Sequence, residues 1–513
     1  MIAKILSGAL LGLSAVPVTV EVDISSGGLP SFTIVGLPDK AVEESKERVR
    51  SAIKNSGADF PKRKITVNLA PADIPKIGPM YDLPIAVGIL VASGQIGKNV
   101  GQGVYFGELS LDGSLLPTRG ILPIAVFAKK QTPPVVYVPD CNKKEAAIVD
   151  GISVYGVKTL ADLVRYANGT QELTAEPVTD IRSTDGPGEE MGDFDFADIR
   201  GQIHAKKAFE IAAAGGHNVY ITGPPGAGKT MLARALISIL PPMTQQEILE
   251  VTNIYSVAGQ LPHGVSCITM RPFRSPHHTV SRIGLIGGGS HPVPGEVSLS
   301  HRGVLFLDEF LEFPRSVLEA IRQPLEDGYV NVSRIAGSVR YPARCTLIAA
   351  SNPCPCGYYG STRKACTCPP NIVSRYKKRI SGPILDRIDL HVVVGEVNIE
   401  ELESSGHEGE SSEQVRSRVV TARRAQQKRY SGTHFVCNAD LTSKAVKQFC
   451  PLSGETEEFL VHAANMWNFS ARSYYRMIKV ARTIADLADS GEITVGHVAQ
   501  ALQYRQDAGE NSL

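Results

Sequence analysis

The residues best suited to chemistry lie between Gly223 and Thr230, where the sequence is GPPGAGKT. This segment fits the pattern G-x-x-x-x-G-K-[ST], which binds phosphate groups between a strand and a helix. Glycines let backbone N–H groups wrap around phosphates, and the helix N-terminus adds a favourable dipole. We expect Lys229 to contact the β- and γ-phosphates of ATP, and Thr230 to bind Mg²⁺. The predicted nucleotide-binding residues are Gly223, Pro224, Pro225, Gly226, Ala227, Gly228, Lys229 and Thr230.

Two acidic residues, Asp308 and Glu309, follow the apolar run from Val304 to Leu307. Such a run is typical of a buried parallel strand, which presents polar residues at its carboxyl end. Together with a P-loop, this is the Walker B arrangement. We expect Asp308 to complete the Mg²⁺ site through water, and Glu309 to activate the water that attacks the γ-phosphate.

Three more polar side chains each have two interpretations from the residues alone. Asn352 ends the apolar run CTLIAASN, where it either holds the same water or is a turn residue. Arg387 stands between two acids in SGPILDRIDLHVVV, as it would in an ordinary surface ion pair. Arg472 follows Ser470, a predicted helix cap, and either serves the nucleotide or lies at a solvated helix end.

The elements that must position these residues fall into three folded segments and a linker. Residues 1–168 alternate β-rich and helical runs, which predicts one α/β domain. Residues 169–193 are rich in Thr, Glu, Asp, Pro and Gly, which predicts a linker. Residues 194–398 predict a second α/β domain with a parallel sheet, and residues 399–513 predict a domain made only of helices.

The apolar start of the chain has two interpretations. Lys4 is followed by ILSGALLGLSAV, which has the basic and apolar regions of a signal peptide. The next residues alternate instead, with Val18, Val20 and Val22 on one side, as in a half-buried strand. We therefore expect the apolar start to form the first strands of a domain.

The composition is that of an ordinary globular protein. Of its 513 residues 43% are hydrophobic, enough for more than one core. Its 53 Lys and Arg residues balance 52 Asp and Glu residues, so any binding of a polyanion must be local. No apolar run reaches the roughly 18 residues that a membrane helix needs, so we expect no membrane partner.

Nine cysteines, an odd number, do not suit a secreted disulfide framework, so we expect a reducing cytoplasm. Four of them form two close pairs on either side of a Gly-containing loop. Such a set either holds a structural Zn²⁺ with four thiolates or consists of free, oxidisable thiols. The four are Cys354, Cys356, Cys366 and Cys368.

Five segments in order carry a resemblance to a known family. The P-loop is followed by RPFRSPHHT, GEVSLSHRGVLFLDE, SNPCPCGYYG and SGPILDRIDLHV. Together they resemble the ComM/YifB group of magnesium-chelatase-like AAA+ proteins over nearly the whole chain. The resemblance implies a homo-hexameric ring in which neighbouring subunits share each ATP site. It also implies a DNA helicase that drives branch migration on single-stranded or branched DNA. Its setting would be recombination of incoming DNA during natural transformation, with recombination proteins as partners.

The same resemblance assigns roles to the three ambiguous side chains. It implies that Asn352 is the sensor 1 residue and that Arg387 is an arginine finger that reaches the γ-phosphate held by a neighbouring subunit. It also implies that Arg472 is the sensor 2 arginine of a helical lid. An alternative function within the resemblance is a chelatase-type motor that remodels a protein partner.

The first domain resembles the proteolytic domain of Lon through PKIGPMYDLPIA and GELSLDGSLLPTRGILPIA. Lon cleaves peptides with a serine nucleophile that a lysine activates. In this sequence the serine position falls on Met80 and the lysine position on Leu122, and neither side chain can perform that chemistry. We expect a domain that keeps the fold without protease activity and serves in docking or in guiding a substrate.

Two basic segments are candidates for the pore of the ring. The stretch YVNVSRIAGSVRYPARCTLI predicts a hairpin that turns near Ala336 and Gly337. Arg334 and Arg340 flank the predicted turn and either bind DNA or remain solvated. The motif RPFRSPHHT supplies Arg271, Arg274, His277 and His278, and we interpret it as a structural or pore-facing loop.

Overall fold

A computed structural model describes ten ranges of the chain. They are residues 2–25, 27, 29–97, 102–181, 194–262, 264–289, 292–334, 337–361, 363–396 and 409–505. Within them the expected α/β architecture with a C-terminal helical region is confirmed. Residues 182–193 of the predicted linker, 399–408 of the helical segment and Ala336 of the predicted turn lie outside these ranges. Among the described helices, none has the length and apolarity that crossing a bilayer requires.

The N-terminal domain is built on a mixed seven-stranded sheet. The apolar start forms its first two strands, which pair antiparallel from Ile2 opposite Asp23 to Leu11 opposite Ser14, as the alternation predicts. The strand order is β3-β4-β2-β1-β5-β8-β9. The strands are β1 Ile2–Leu11, β2 Ser14–Ser25, β3 Ser31–Val35, β4 Lys64–Ala70, β5 Val104–Tyr105, β6 Glu108–Leu109, β7 Leu115–Leu116, β8 Val135–Pro139 and β9 Ser153–Val157. The helices are α1 Lys40–Asn55, α2 Asp82–Ala92, α3 Ile121–Ala128, α4 Lys143–Ala146 and α5 Leu160–Ala167.

The central domain contains a five-stranded parallel sheet in the order β11-β14-β17-β10-β18. The strands β10, β14 and β17 are largely apolar and buried, as parallel strands covered on both faces must be, whereas the outer strands β11 and β18 are partly exposed. The strands of this domain are β10 Val219–Thr222, β11 Phe273–Arg274, β12 Gly287–Gly288, β13 Val293–Pro294, β14 Val304–Leu307, β15 Tyr329–Arg334, β16 Gly337–Pro342, β17 Thr346–Ser351 and β18 Leu390–Val393. The helices are α6 Ile203–Gly215, α7 Lys229–Ile239, α8 Gln245–Ala258, α9 Arg282–Ile286, α10 Glu296–Leu299, α11 Arg315–Ala320, α12 Arg322–Asp327, α13 Pro370–Lys377 and α14 Gly382–Leu385.

The C-terminal helical region packs against helices α6 and α7 of the central domain. Its apolar side chains join one continuous core with those of α6 and α7. Ser470 caps the fourth helix by accepting a hydrogen bond from the backbone N–H of Ser473, as the sequence predicts. The helices are α15 Ser412–Arg429, α16 Ser443–Phe449, α17 Gly454–Met466, α18 Ala471–Leu487 and α19 Val495–Leu502.

The N-terminal domain is tied to the central domain through α8. The hydroxyl of Ser256 donates to the carboxylate of Glu145 at 2.5 Å, and its carbonyl accepts from the N–H of Gly120 at 3.0 Å. Burial raises the pKa of Glu145, although its hydrogen bonds act in the opposite direction. This polar contact lies beside an apolar cluster shared by both domains, so the two pack as neighbours.

Candidate functional site

The P-loop follows β10, the strand between β17 and β18, so phosphates bound there would lie at the carboxyl edge of the sheet. Gly226 and Gly228 have φ values of +77° and +83°, in the left-handed region that favours glycine. Gly228 immediately precedes α7, whose first N–H groups point back toward the loop. The backbone thus has the form of a phosphate-binding loop at a helix N-terminus.

Lys229 opens α7 and turns its ammonium group back into the P-loop. Its Nζ donates to the carbonyl oxygens of Gly223 and Pro224 at 2.6 and 3.0 Å. It also donates to Oδ1 of Asn352 at 3.0 Å, so the end of β17 meets the P-loop. Burial lowers the pKa of Lys229, while two nearby carboxylates act in the opposite direction.

Asp308 and Glu309 lie at the same edge, directly after β14. The hydroxyl of Thr230 donates to Oδ2 of Asp308 at 3.2 Å. A threonine hydroxyl beside a carboxylate is a suitable oxygen donor set for Mg²⁺ when nucleotide is bound. Glu309 adopts φ +50° and ψ +43°, a conformation rarely taken by residues other than glycine, and its side chain is 53% exposed. The polar residues predicted to act on ATP are therefore neighbours; they are Lys229, Thr230, Asp308, Glu309 and Asn352.

His278 is a member of this site that the sequence analysis did not identify. Its Nδ1 lies 2.9 Å from Oε2 of Glu309, and its ring packs edge-on against Phe313. The loop that carries it follows β11, the strand beside β14. It is anchored by two hydrogen bonds from Arg274 to Glu296 at 2.6 and 2.7 Å. The segment RPFRSPHHT is therefore more than the structural or pore-facing loop expected from the sequence, because His278 contacts Glu309.

Replacing His278 with alanine is expected to lower kcat for ATP about tenfold and leave KM unchanged. The expected reason is that His278 orients the Glu309 carboxylate, while its described contacts include none with Lys229, Thr230 or Asp308. Steady-state kinetics over a range of ATP concentrations measures both constants. His278→Asn, which keeps a donor for the carboxylate, should recover part of kcat. The control is His462→Ala, at an exposed histidine of the helical region. A raised KM with unchanged kcat would contradict this role.

Arg387 and Arg472 lie at the opposite edge of the sheet from Lys229. Arg387 lies just before β18, and its carbonyl accepts from the side chain of Asn218, which precedes β10. The four residues of β10 separate the two edges by about 13 Å. Arg387 and Arg472 both form ion pairs with Glu326. Neither arginine is in contact with the P-loop of its own chain.

The two acids that flank Arg387 in sequence pair with the helical region instead. Asp386 contacts Arg505 at 3.4 Å, and Asp389 contacts Arg476 at 3.1 Å. These ion pairs fix the helical region to the amino edge of the sheet. A cavity of about 1000 Å³ lies between them, lined by polar and charged side chains that include Arg387, Arg472 and Arg476.

The four clustered cysteines meet in space. Sγ of Cys354 lies 3.4 Å from Sγ of Cys356 and 3.7 Å from that of Cys366, and Cys356 and Cys366 are 3.6 Å apart. Cys368 belongs to the same group, with all four sulfurs within 4.8 Å of one another. Sulfurs held tetrahedrally at about 2.3 Å from Zn²⁺ lie about 3.8 Å apart, whereas a disulfide bond is about 2.05 Å long. The spacing fits a Cys₄ zinc site.

The predicted hairpin is present as β15 and β16. Its register pairs Arg334 with Gly337, and Arg340 with Asn331 three pairs from the turn. Arg340 therefore does not flank the turn as expected, and the odd offset places the two arginine positions on opposite faces. The exposed guanidinium group of Arg340 stacks over Tyr329, 3.3 Å from the ring centroid.

The two positions to which the Lon resemblance assigns the dyad are packed inside the protein. Met80 is 5% exposed and Leu122 is 2% exposed. Leu122 belongs to the apolar cluster that joins the N-terminal domain to α8. Leu122 is therefore part of the contact between the two domains.

Two exposed apolar side chains beside the P-loop were also missed by the sequence analysis. Ile203 is 83% exposed and Val393 is 76% exposed. Gln202 donates to the carbonyl of Gly395 at 2.8 Å, which joins the two segments that carry these side chains. Isolated apolar residues give no periodic pattern, so only the fold brings them together.

Comparison with family models gives three matches that follow the order of the chain. Residues 20–142 match the model described as subunit ChlI of Mg-chelatase. Residues 195–402 match magnesium chelatase, subunit ChlI, and residues 409–505 match the C-terminal region of that subunit. The nucleotide site described above lies within the second match.

Two of the curated relatives match over almost the full length, and a third matches less than half of the chain. The competence protein ComM of Haemophilus influenzae is 43% identical over 506 residues, which cover 98% of this chain and 97% of its own. YifB of Escherichia coli is 42% identical over 498 residues, covering 97% and 96%. The chloroplastic magnesium-chelatase subunit ChlI of Chlamydomonas reinhardtii is 28% identical over 259 residues, covering 44% and 60%.

Proposed function

Because the chain belongs to the magnesium-chelatase-like AAA+ family of ComM and YifB, we propose that it is a DNA motor driven by ATP hydrolysis. In this proposal it forms a homo-hexameric ring and migrates branched DNA during recombination of incoming DNA in natural transformation. Membership of the AAA+ family supports ATP hydrolysis. The name of the relative ComM, a competence protein, supports a role in natural transformation. The observation that carries the ATPase function is the convergence of Lys229, Asp308, Glu309 and Asn352 at one sheet edge.

Each side chain at the carboxyl edge has one role in this proposal. Lys229 exchanges its carbonyl partners for the β- and γ-phosphates, while Thr230 and Asp308 hold Mg²⁺. When bound, Mg²⁺ neutralises charge on the phosphate oxygens. Glu309 accepts a proton from the attacking water, and Asn352 keeps that water in line. The exposed Ile203 and Val393 cover the adenine base from water.

The amino edge supplies the second half of the site to a neighbouring subunit. Arg387 and Arg472 cannot reach the phosphates of their own chain without crossing the sheet. In a ring, the amino edge of one subunit faces the carboxyl edge of the next, so both arginines would leave Glu326 for a neighbour's γ-phosphate. This arrangement makes hydrolysis depend on assembly.

The DNA contact is assigned to the β15–β16 hairpin. Val330, Val339 and Tyr341 hold the base of the hairpin in the core, while Arg340 lies on its solvent face. A ring repeats each arginine around one axis, so a chain of net charge +1 still presents a basic channel to phosphates. The planar pair of Arg340 and Tyr329 also offers a surface on which bases can stack.

Replacing both Arg334 and Arg340 with alanine is expected to weaken binding to single-stranded DNA about tenfold or more and to reduce its salt dependence. Stimulation of the ATPase by DNA should fall in parallel, while hydrolysis without DNA remains. Fluorescence anisotropy at several salt concentrations measures the first effect, and a coupled ATPase assay measures the second. Arg165→Ala, which removes an exposed charge from the N-terminal domain, is the matched control. Undiminished DNA stimulation in the double variant would remove the hairpin from the proposal.

A structural zinc ion is part of the proposal. The four thiolates of Cys354, Cys356, Cys366 and Cys368 have the number and spacing that Zn²⁺ requires, and the ion would link two ends of one loop. The sulfurs themselves take no part in ATP hydrolysis.

A second candidate function is remodelling of a protein partner. The match to the magnesium-chelatase subunit favours it, since the ATPase machinery is compatible with either substrate. In both functions the N-terminal domain acts in docking and has no protease activity, because Met80 and Leu122 offer neither nucleophile nor base. The effect of DNA on the ATPase separates the two.

A further inference from the structure

The loop that carries the four cysteines lies directly against the nucleotide site. It begins after Asn352, whose side chain accepts a hydrogen bond from Lys229 at 3.0 Å. Cys354, two residues further on, is fully buried. The first thiolate of the candidate zinc site is therefore two residues from a side chain that contacts the P-loop lysine.

Gly357, in the middle of the same loop, packs on the P-loop itself. Its φ is +85°, and a Cβ atom added there would lie 2.6 Å from Cδ of Pro225. Only a residue without a side chain allows this approach. The carbonyl of Cys354 accepts from the N–H of Gly357 at 3.0 Å, so this contact is tied to the cysteine cluster.

The loop is also joined to the strand on the other side of the P-loop. The hydroxyl of Ser361 donates to Oε1 of Glu396 at 2.7 Å, three residues beyond the end of β18. The backbone of Val394 packs so closely on Gly223 that a Cβ atom there would collide with the Val394 carbonyl oxygen. The loop thus spans the P-loop from β17 to β18.

We propose that the cysteine loop is a metal-dependent brace of the P-loop, so that zinc and nucleotide bind cooperatively. The inference rests on the proposed zinc site and adds the coupling between that site and ATP. When the four thiolates hold one ion, the two ends of the loop are fixed to each other and Gly357 remains on Pro225. Without the ion, the loop loses its cross-link and the P-loop loses one wall.

Coupling of this kind must act in both directions. If zinc raises the affinity for nucleotide by some factor, nucleotide raises the affinity for zinc by the same factor. Coupling between two sites typically changes affinity by 5- to 150-fold. We expect a change of about tenfold here, because the brace contacts the P-loop through one packed residue and one hydrogen bond.

The first experiment compares the full chain as purified with the same chain after zinc removal by a chelator. Elemental analysis should give one zinc per subunit, and a fluorescent ADP analogue with excess Mg²⁺ should bind about tenfold more weakly to the zinc-free protein. In the reverse direction, Mg²⁺ and ADP should slow the release of zinc to a chromogenic chelator. Lys229→Ala, which impairs the nucleotide site, should abolish that slowing.

Two variants separate the metal site from the coupling. Cys356→Ser combined with Cys368→Ser should lose zinc and show the weakened nucleotide affinity, whereas Cys141→Ser, at an exposed cysteine, should change neither. Gly357→Ala places a Cβ atom against Pro225 and strains a left-handed backbone position, but it leaves all four cysteines in place. It should therefore retain zinc and bind nucleotide weakly. A chain without zinc overturns the metal site and the brace together. One zinc per subunit with unchanged nucleotide affinity overturns the brace alone.

Discussion

Replacing Glu309 with glutamine is expected to lower the rate of ATP hydrolysis about a hundredfold or more while ATP binding survives. Glutamine keeps the size of the side chain but cannot accept a proton from water at neutral pH. The phosphate contacts of Lys229 and Thr230 are untouched, because Glu309 meets Asp308 through its backbone N–H and His278 through its carboxylate. Single-turnover hydrolysis, with nucleotide binding measured in parallel, gives both quantities.

The control for this experiment is Lys229→Ala. It removes the charge that the P-loop carbonyls and Asn352 hold in place, so both binding and hydrolysis should fall. Glu309→Gln with normal turnover would mean that another group activates the water. The Walker B assignment would then apply to Asp308 alone.

Replacing Arg387 with alanine is expected to reduce hydrolysis about a thousandfold, as loss of an arginine finger does, without loss of ATP binding. Arg387 lies across the sheet from Lys229, so the proposal assigns its action to a neighbouring subunit. Mixing Arg387→Ala chains with Lys229→Ala chains tests this directly. Each population alone should be inactive, whereas mixed rings should recover activity where an intact P-loop meets an intact finger.

The matched control is Arg379→Ala, which removes an arginine from an exposed ion pair with Glu312 nearby in the same domain. It should leave turnover within about twofold of the unchanged chain, since exposed ion pairs contribute about 1 kcal/mol or less. If mixed populations stay inactive, the finger acts within its own chain or has no role. Normal hydrolysis by Arg387→Ala alone would exclude the finger outright.

The nucleotide residues could be placed from the sequence because each follows a strand with a strong apolar pattern. Val304 to Leu307 form β14, and the run before Asn352 forms β17, so the two ends meet at one edge. Parallel pairing then makes the positions of Asp308 and Asn352 predictable without coordinates. The residues after the apolar start, from Val18 to Val22, show an equally clear alternation, and the β1–β2 pairing confirms the strands predicted from it.

Other contacts join residues that no local pattern relates. Glu326 forms ion pairs with both Arg387 and Arg472. The acid that pairs with a given arginine depends on how the helical region packs on the central domain. The same holds for His278 and Glu309, which are 31 positions apart and meet because β11 pairs with β14. Gly357 shows its role only through its distance from Pro225.

The hairpin arginines could be placed in part from the sequence. The strands of the hairpin could be predicted from their alternation, but the register decides which residues share a face. Arg334 and Arg340 are separated by an even number in sequence, yet they stand on different strands three register pairs apart. A sequence pattern alone does not specify that offset.

The measurement that tests the DNA motor most directly is steady-state ATPase activity without DNA, with linear single strands and with four-way junctions. Lys229→Ala provides the blank, and the strand products of the junction are followed on gels in the same reactions. The proposal predicts that junctions stimulate hydrolysis most and that exchanged strands appear only with hydrolysable ATP. A Lys229-dependent ATPase that is indifferent to every DNA would contradict it and would favour a motor that remodels a protein.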